Sequence, residues 1–495
     1  MNWIDVKNLQ PIPVAEIPRL SIDEFRQFML DGIARGKRVV QFFGDAEKGS
    51  VRIYGVLADD AASLLSAAVA EMDEHSAYPA ITPEAPALHL FERELFEQTG
   101  IEPKGHPWLK PVRHGIAGIS SNEKPYAFFN MEGAQIHEVG VGPIHAGVIE
   151  PGHFRFSCEG ENVLHLEIEL GFQHRGVEQL FLAHRDHPAF LLNLAESIAG
   201  DTVIGHAAAF AAAAEALAEV TVSRRAVLIR TIMSELERIA NHIGDLSALA
   251  NDVAYLTGSA VFGAMRTRVI NISAAICGSR FGRGMTAYGG VHFDLTDDLI
   301  AKMKNDLTQI DQEFETAVSV LFGSSSVLAR FEKTGILSAE TARQIGMVGP
   351  AARACGVAVD VRTDFPYGGY RFLPVHKLTL TSGDVFARAY IRFIEVKQSL
   401  RMILELLDAL PEGELITPLK AFLPDHLVVS MSEGWRGEIV HAVITDAERR
   451  LKRYKIKDPS FNNWFALALA VRDNGISDFP LCNKSFNLSY CGFDL

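Results

Sequence analysis

The sequence predicts an α+β chain in two units: a compact α+β unit over residues 1–128, then a larger, mostly helical unit over residues 129–495 that carries a small β element. Three observations predict it. Before residue 110, amphipathic helical stretches are interleaved with short apolar runs of strand length. From residue 110 to residue 137 the periodicity breaks down among Pro111, Gly115, Gly118, Ser120, Ser121 and Pro125, which marks a connector. Beyond it, a period-two hairpin gives way to long stretches with apolar residues at three- and four-residue steps. A chain of 495 residues also exceeds what one core usually organises.

In the first unit, residues 21–35 open on a Ser-x-x-Glu capping pattern and continue as an amphipathic helix. Residues 39–43 and 51–57 read as strands, and residues 61–72 as a second helix. Residues 88–98 pass from an extended piece into a helix that Gly100 ends, and Gly105-His106-Pro107 closes the unit. The second unit opens with residues 153–170, where Phe154 and Phe156, then Leu164, Leu166, Ile168 and Leu170, alternate with polar residues about a turn at 159–162. Gly171 ends that hairpin, and His174, Arg175 and Glu178 follow where the next helix should begin. Residues 207–220, rich in alanine, read as a small-residue core helix. Residues 225–253 give the clearest helix, with Ile229, Ile232, Leu236, Ile239, Ile243 and Leu246 on one face. Glu235, Arg238 and His242 step along a neighbouring face, either as solvated surface or as an internal ion-pair ladder. Residues 266–279, 297–321, 339–345 and 383–410 read as further helices, and Gly282 to Gly290 as a flexible connection lacking any Walker or dinucleotide fingerprint. Residues 435–438 read as a turn into a strand at 439–444.

Composition excludes several classes. Apolar residues make up 48%, too many for a disordered chain, and a formal net charge of −14 argues against a nucleic-acid-binding body. Residues 1–20 lack a basic stretch followed by an apolar core, so no secretory signal is expected, and no uninterrupted apolar run reaches bilayer length. Five cysteines without CxxC spacing fit a reducing cytoplasm and give no four-cysteine zinc site.

Several segments together resemble one family. They are Gly142-Pro143-Ile144-His145, Glu150-Pro151-Gly152-His153-Phe154, His174-Arg175-Gly176-Val177-Glu178 and Glu235-Leu236-Glu237-Arg238-Ile239-Ala240-Asn241-His242, then Asp360 to Tyr367, Gly434-Trp435-Arg436-Gly437-Glu438 and Ser460-Phe461-Asn462-Asn463-Trp464. In this order the second unit resembles the large subunit of membrane-bound nickel–iron hydrogenases of the formate hydrogenlyase type, relatives of the 49-kDa quinone-site subunit of respiratory complex I. The first unit resembles the complex I 30-kDa subunit through Glu92-Arg93-Glu94 and Gly105-His106-Pro107. The resemblance implies an α+β domain followed by a mostly α-helical domain with a small β-sheet. It also implies a peripheral position on the cytoplasmic side of the cell membrane, with the chain not itself transmembrane. The partners implied are an iron–sulfur small subunit and antiporter-like membrane subunits, with the iron–sulfur clusters in the partner and no cofactor in this chain.

The departures from that family are as informative as the matches. Its metal centre needs four thiolates from two CxxC pairs, because nickel–iron selects soft ligands. At the corresponding positions this chain has Ala199-Gly200-Asp201-Thr202 and Leu488-Ser489-Tyr490-Cys491, so that Ala199, Thr202 and Leu488 replace three thiolates and only Cys491 remains. No metal ligand set is expected. The family's quinone site joins a hairpin-loop histidine, here His145 or His153, to a tyrosine whose place falls on Gly200. These histidines are expected as vestigial quinone-loop positions. The resemblance gives Glu178 a proton-passing role, with Arg175 placed to hold its carboxylate. Asp201 either pairs with His206, a little over one helical turn onward, as a second relay to which Glu196 belongs, or is a helix-start aspartate beside a satisfied histidine, with Arg436 near the cavity. Three functions remain open: a non-hydrogenase subunit coupling a redox or conformational change to ion movement, a purely structural docking subunit, and a hydrogenase with substitute ligands.

Overall fold

The computed structural model describes residues 3–47, 49–113, 126–145 and 149–495. The first unit is built on a sheet whose strands run Ile4–Val6, Leu64–Asp73, Ser50–Asp59, Arg38–Glu47, with Arg19–Leu20 pairing parallel to Leu64–Asp73. Helix Ile22–Ala34 starts with a complete capping box between Ser21 and Glu24. It and helix His89–Thr99, which ends at Gly100 in the left-handed conformation, cover one face of the sheet through Phe25, Met29, Phe42, Leu57 and Leu95. Val40, Phe43, Tyr54, Val56 and Val69 of the same sheet pack against Leu427, Val429, Met431, Val440 and Ala442 of the second unit.

That double coverage corrects the helix expected over 61–72, which is the strand Leu64–Asp73. A strand buried on both faces has no polar side to alternate with, so Leu-Leu-Ser-Ala-Ala-Val-Ala carries no period-two signal, and its alanines favour a helical reading. The described ends of the connector are anchored. Ile136–Val141 forms the third strand beside the hairpin His153–Glu159/Asn162–Glu169. Glu167 of the hairpin accepts hydrogen bonds from Trp108 Nε1 and the Phe129 N–H, fastening the connector on both sides. The expected connector glycines Gly115 and Gly118, with Ser120, Ser121 and Pro125, lie outside the described residues.

The second unit is dominated by helices Arg224–Asp252, Leu256–Cys277, Asp297–Gly323 and Val385–Asp408, which share one core. Leu256–Cys277 starts earlier than the sequence indicates. It is long and apolar enough to cross a bilayer by length and composition, yet it carries Arg266 and Arg268 and buries Phe262, Val269 and Ile272 in that core. The glycine-rich stretch is not a flexible connection. Thr286–Ala287 pairs with Gly290–Val291, and Gly289 and Gly290 lie against the Thr417 and Leu415 carbonyls, where a Cβ would come within 1.8 Å of either oxygen. Ala-rich helix Val203–Leu217 packs on a C-terminal sheet ordered Leu451–Lys457, Gly437–Thr445, His426–Gly434, Ile12–Pro13. Its edge strand Ile12–Pro13 comes from the beginning of the chain, so the two units share a sheet as well as a core.

Candidate functional site

The two segments where the resemblance places thiolates are neighbours in space. Residues 199–202 form the turn before helix Val203–Leu217, and residues 488–491 lead into helix Tyr490–Asp494. Between them lies the two-residue turn Trp435-Arg436 that joins strands His426–Gly434 and Gly437–Thr445. The Arg436 guanidinium donates to both carboxylate oxygens of Asp201, at 2.5 and 2.7 Å, and to Thr202 Oγ1 at 3.4 Å. Its Nε donates to the Asn487 carbonyl at 2.5 Å, so one side chain bridges the first segment to the residue that immediately precedes the second. Trp435 Nε1 and Asn241 Nδ2 fix the Asp201 carbonyl, each at 2.9 Å, and the guanidinium lies 3.9 Å from the Trp435 ring centre. The turn is set by backbone packing: a Cβ on Gly349 would lie 2.1 Å from the Arg436 carbonyl oxygen.

This donor set does not fit a nickel–iron centre. Ala199 and Leu488 offer no donor atom, and Thr202 is engaged by Arg436. Burial, followed by Glu150, pushes the Cys491 thiol up to about 11 against the pull of Ser489 and the Gly200 N–H, so it keeps its proton at neutral pH. Among the described residues, His, Cys, Asp and Glu form no group of three or more that could hold a metal ion.

Glu178 is present and buried, but Arg175 does not hold it. Gly176 between them takes a left-handed conformation at φ +66°, which turns the two side chains apart. Arg175 donates to the Ser197, Ile198 and Cys491 carbonyls instead. Glu178 accepts from Lys455 at 2.9 Å, Arg453 at 3.2 Å and the Ile456 N–H at 3.0 Å. Burial pushes its carboxyl up, but Lys455, then Arg453 and Arg113, outweigh burial and hold it at about 2. Glu178 is therefore ionised throughout the neutral range. Lys455 also contacts Glu94 at 2.5 Å, and Glu94 pairs with Arg113.

The expected Asp201–His206 pair is likewise corrected. Asp201 is taken by Arg436, and the carboxylate on His206 is Asp458, at 3.0 Å from Nε2. His206 Nδ1 lies 3.1 Å from His441 Nε2, and His441 Nδ1 is 2.7 Å from the Tyr454 hydroxyl. Asp458, His206, His441 and Tyr454 thus form one hydrogen-bonded chain, each at most 1% exposed. Burial, reinforced by His206, holds His441 well below the usual histidine range, so it is neutral. Glu196 is not part of this chain; it accepts the Gly284 N–H at 2.7 Å. His145 Nε2 lies 3.0 Å from the Gly152 carbonyl and His153 Nδ1 2.9 Å from the Gly142 carbonyl, so both rings clasp the base of their loop.

The ladder Glu235, Arg238, His242 is internal. It opens onto a buried cluster that also holds Arg353, Asp360, Arg362, Glu395 and Glu433. Arg353 joins Glu395 at 2.7 Å, Glu433 at 2.9 Å and Asp360 at 3.4 Å; Arg362 joins Asp360 at 2.8 Å and Glu235 at 3.3 Å; His242 lies 2.9 Å from Glu395. Four carboxylates face three guanidinium groups and one imidazole, so the cluster is electrically balanced only with one further proton, on His242 or on a carboxyl group. Burial and then Asp360 raise Glu433, and the three arginines pull it back to about 7. Burial outweighs the pull of Glu395 and lowers His242. Of the four carboxyl groups Glu433 is the one its surroundings raise; Glu235, Asp360 and Glu395 are, against burial, all lowered by the arginines that face them. Arg238 donates to the Glu433 and Gly434 carbonyls at 2.7 and 3.0 Å, tying the cluster to the strand end that carries Arg436. Sequence reading missed Glu433, Glu395, Asp458, His441 and Lys455. The dense cations of Leu451–Lys457 and the Asp360–Tyr367 motif are the signals that bear on them.

Residues 252–426 match the family described as the respiratory-chain NADH dehydrogenase 49 Kd subunit. Formate hydrogenlyase subunit 5 of Escherichia coli (strain K12) is 30% identical over 433 residues, which cover 83% of this chain and 76% of that protein. Hydrogenase-4 component G of the same organism is 27% identical over 480 residues, 90% of this chain and 82% of that protein. The membrane-bound hydrogenase subunit alpha of Pyrococcus furiosus is 30% identical over 373 residues, 70% of this chain and 84% of that protein.

Proposed function

The chain belongs to the family of hydrogenase large subunits and complex I 49-kDa subunits, and from that premise we propose that it is a subunit of a membrane-bound oxidoreductase complex that carries no nickel–iron centre. It sits in the cytoplasm-facing arm, packs against an iron–sulfur small subunit, and couples a redox or conformational change to ion movement in antiporter-like membrane partners. The observation that carries this reading is the Arg436–Asp201–Asn487 bridge, which occupies the junction of the two thiolate segments with a cation. A guanidinium repels a metal cation, and the one thiol there, Cys491, keeps its proton and stands alone where four thiolates are needed.

Proton handling in this reading moves from Glu178 to Glu433. A carboxyl group near 7 exchanges protons at cellular pH, whereas one held at about 2 does not. Through the shared strand end, displacement of the Arg436 turn reaches Glu433 and changes the balance of its cluster. A second reading, a purely structural docking subunit, draws support from the locking of Glu178 and Asp201 in ion pairs.

Purification of the complex from its native membrane with metal analysis, followed by ion transport measured in vesicles, tests both readings. Sub-stoichiometric nickel is expected, with iron–sulfur and antiporter-like proteins among the co-purifying chains; one nickel per chain overturns the first reading. Glu433→Gln fixes the neutral form and is expected to slow ion transport on the order of ten-fold without loss of assembly. Transport at the wild-type rate leaves the docking role in its place.

A further inference from the structure

A cavity of about 580 Å³, within the usual range of small-molecule sites, lies between helix Val203–Leu217, the start of helix Arg224–Asp252 and the turn 367–372, and shares no lining residue with the Arg436 bridge. Its volume follows from sequence: Ala208, Ala212 and Ala216 recur at four-residue steps on the helix wall, and methyl side chains leave the space unfilled. The polar groups of the lining are few and directional. Ser432 is 4% exposed, yet its Oγ has no hydrogen-bond partner among the described residues. Tyr367 accepts the Glu433 N–H at 2.8 Å, which leaves its own hydroxyl proton to donate. A buried hydroxyl without a partner is costly, and a bound oxygen would satisfy it.

The charges are unequal. Of the charged side chains in the lining, Arg230 is neutralised by Glu215 at 2.5 and 3.0 Å. Arg224 and Arg371 have no carboxylate partner among the described residues. Arg224 lies 5.1 Å from the Phe372 ring, which is 59% exposed, and Arg371 donates to the Pro366 carbonyl at 3.2 Å. Two unpaired guanidinium groups, an apolar wall and an orphaned inner hydroxyl describe the complement of an anionic amphiphile.

We propose that this cavity binds a single-chain amphiphile bearing one carboxylate or phosphate, its chain along the alanine wall and its anion between Arg224 and Arg371. Guanidinium forks recognise both anions by paired hydrogen bonds. This site is independent of the role proposed above. Saturable binding of a fluorescent polyene fatty acid by the full-length protein tests it, with dodecanoate, dodecyl phosphate, dodecanol and inorganic phosphate as competitors. Dodecanoate and dodecyl phosphate are expected to displace the fluorophore, and whichever does so at lower concentration identifies the head group. The double variant Arg224→Gln/Arg371→Gln, both positions being exposed, should keep the wild-type melting temperature and bind at least about ten-fold more weakly. Ala212→Leu, which fills the wall, should weaken binding without altering the rim. Equal displacement by dodecanol, displacement by inorganic phosphate at the same concentration, or unchanged affinity in the arginine variant overturns the proposal.

Discussion

The Arg436 guanidinium reaches a carboxylate 235 residues away in the chain and a carbonyl 51 residues away in the other direction. Arg436 itself is 6% exposed, while the Asp201 side chain is 37% exposed. Its removal therefore falls between a surface pair, worth up to about 1 kcal/mol, and a fully buried one, which costs about 3–5 kcal/mol to break. Arg436→Met is expected to cost about 2–3 kcal/mol in urea unfolding. Arg436→Lys, which keeps the charge but loses the fork, should recover less than half of that. Asp201→Asn should cost less than either, since water reaches the carboxylate. Unchanged unfolding in Arg436→Met would mean that the bridge holds nothing. At this scale the sequence indicated which residues matter but not which pair. Local spacing puts Arg175 beside Glu178 and Asp201 beside His206, and it carries no information about Lys455, Arg436 or Asp458, which arrive from elements far along the chain. Tertiary folding chose the distant partner each time, because the near one faces another way.

The turn that delivers Arg436 depends on contact between backbones. Gly437 has φ +132°, and a Cβ there would lie 2.7 Å from Gly349 Cα; Gly349 has φ +70° and lies against the Arg436 carbonyl. Gly349→Ala combines a strained dihedral with a clash against main chain that cannot rotate aside, so a loss of about 3 kcal/mol or more is expected by thermal unfolding. Because the clash displaces the turn, Gly349→Ala combined with Arg436→Met should cost less than the sum of the two single changes; strict additivity would show that the glycine pair does not position the arginine. Elements were legible where a solvent face alternates with a regular apolar stripe, as in helices Ile22–Ala34, Asp297–Gly323 and Val385–Asp408. Leu64–Asp73 was not, being buried on both faces. The segment Gly282–Gly290 was not either, because close approach of its glycines to the Leu415–Thr417 backbone reads, in sequence alone, as flexibility.

The molecule is tied across its two units by buried charge. Glu94 of the first meets Lys455, which meets Glu178 of the second; Arg38 of the first meets Glu438, which meets Lys457; and Lys452 reaches Glu47 at 2.7 Å. With a shared sheet and core beneath these pairs, heat and denaturant should unfold both units in one transition at neutral pH. Acid should weaken the junction first. Burial alone would raise Glu94, Glu178 and Glu438, but the facing cations outweigh it, and all three are depressed from an ordinary value of 4.5, Glu178 to about 2. A depressed carboxyl group contributes stability that is complete above the unfolded value and lost as pH falls through the folded one, so the loss runs from about pH 4.5 toward pH 2. Glu433, raised to about 7, acts in the opposite sense and removes a smaller amount of stability as pH rises from 4.5 through 7. Urea midpoints followed by tryptophan fluorescence should therefore peak between these limbs and fall steeply on the acid side. Lys455→Met, which takes the cation from both Glu94 and Glu178, should raise both carboxyl values and start the acid loss at higher pH. An acid limb that begins at the same pH in Lys455→Met and wild type would show that the Glu94–Lys455–Glu178 link does not set the acid stability of the junction.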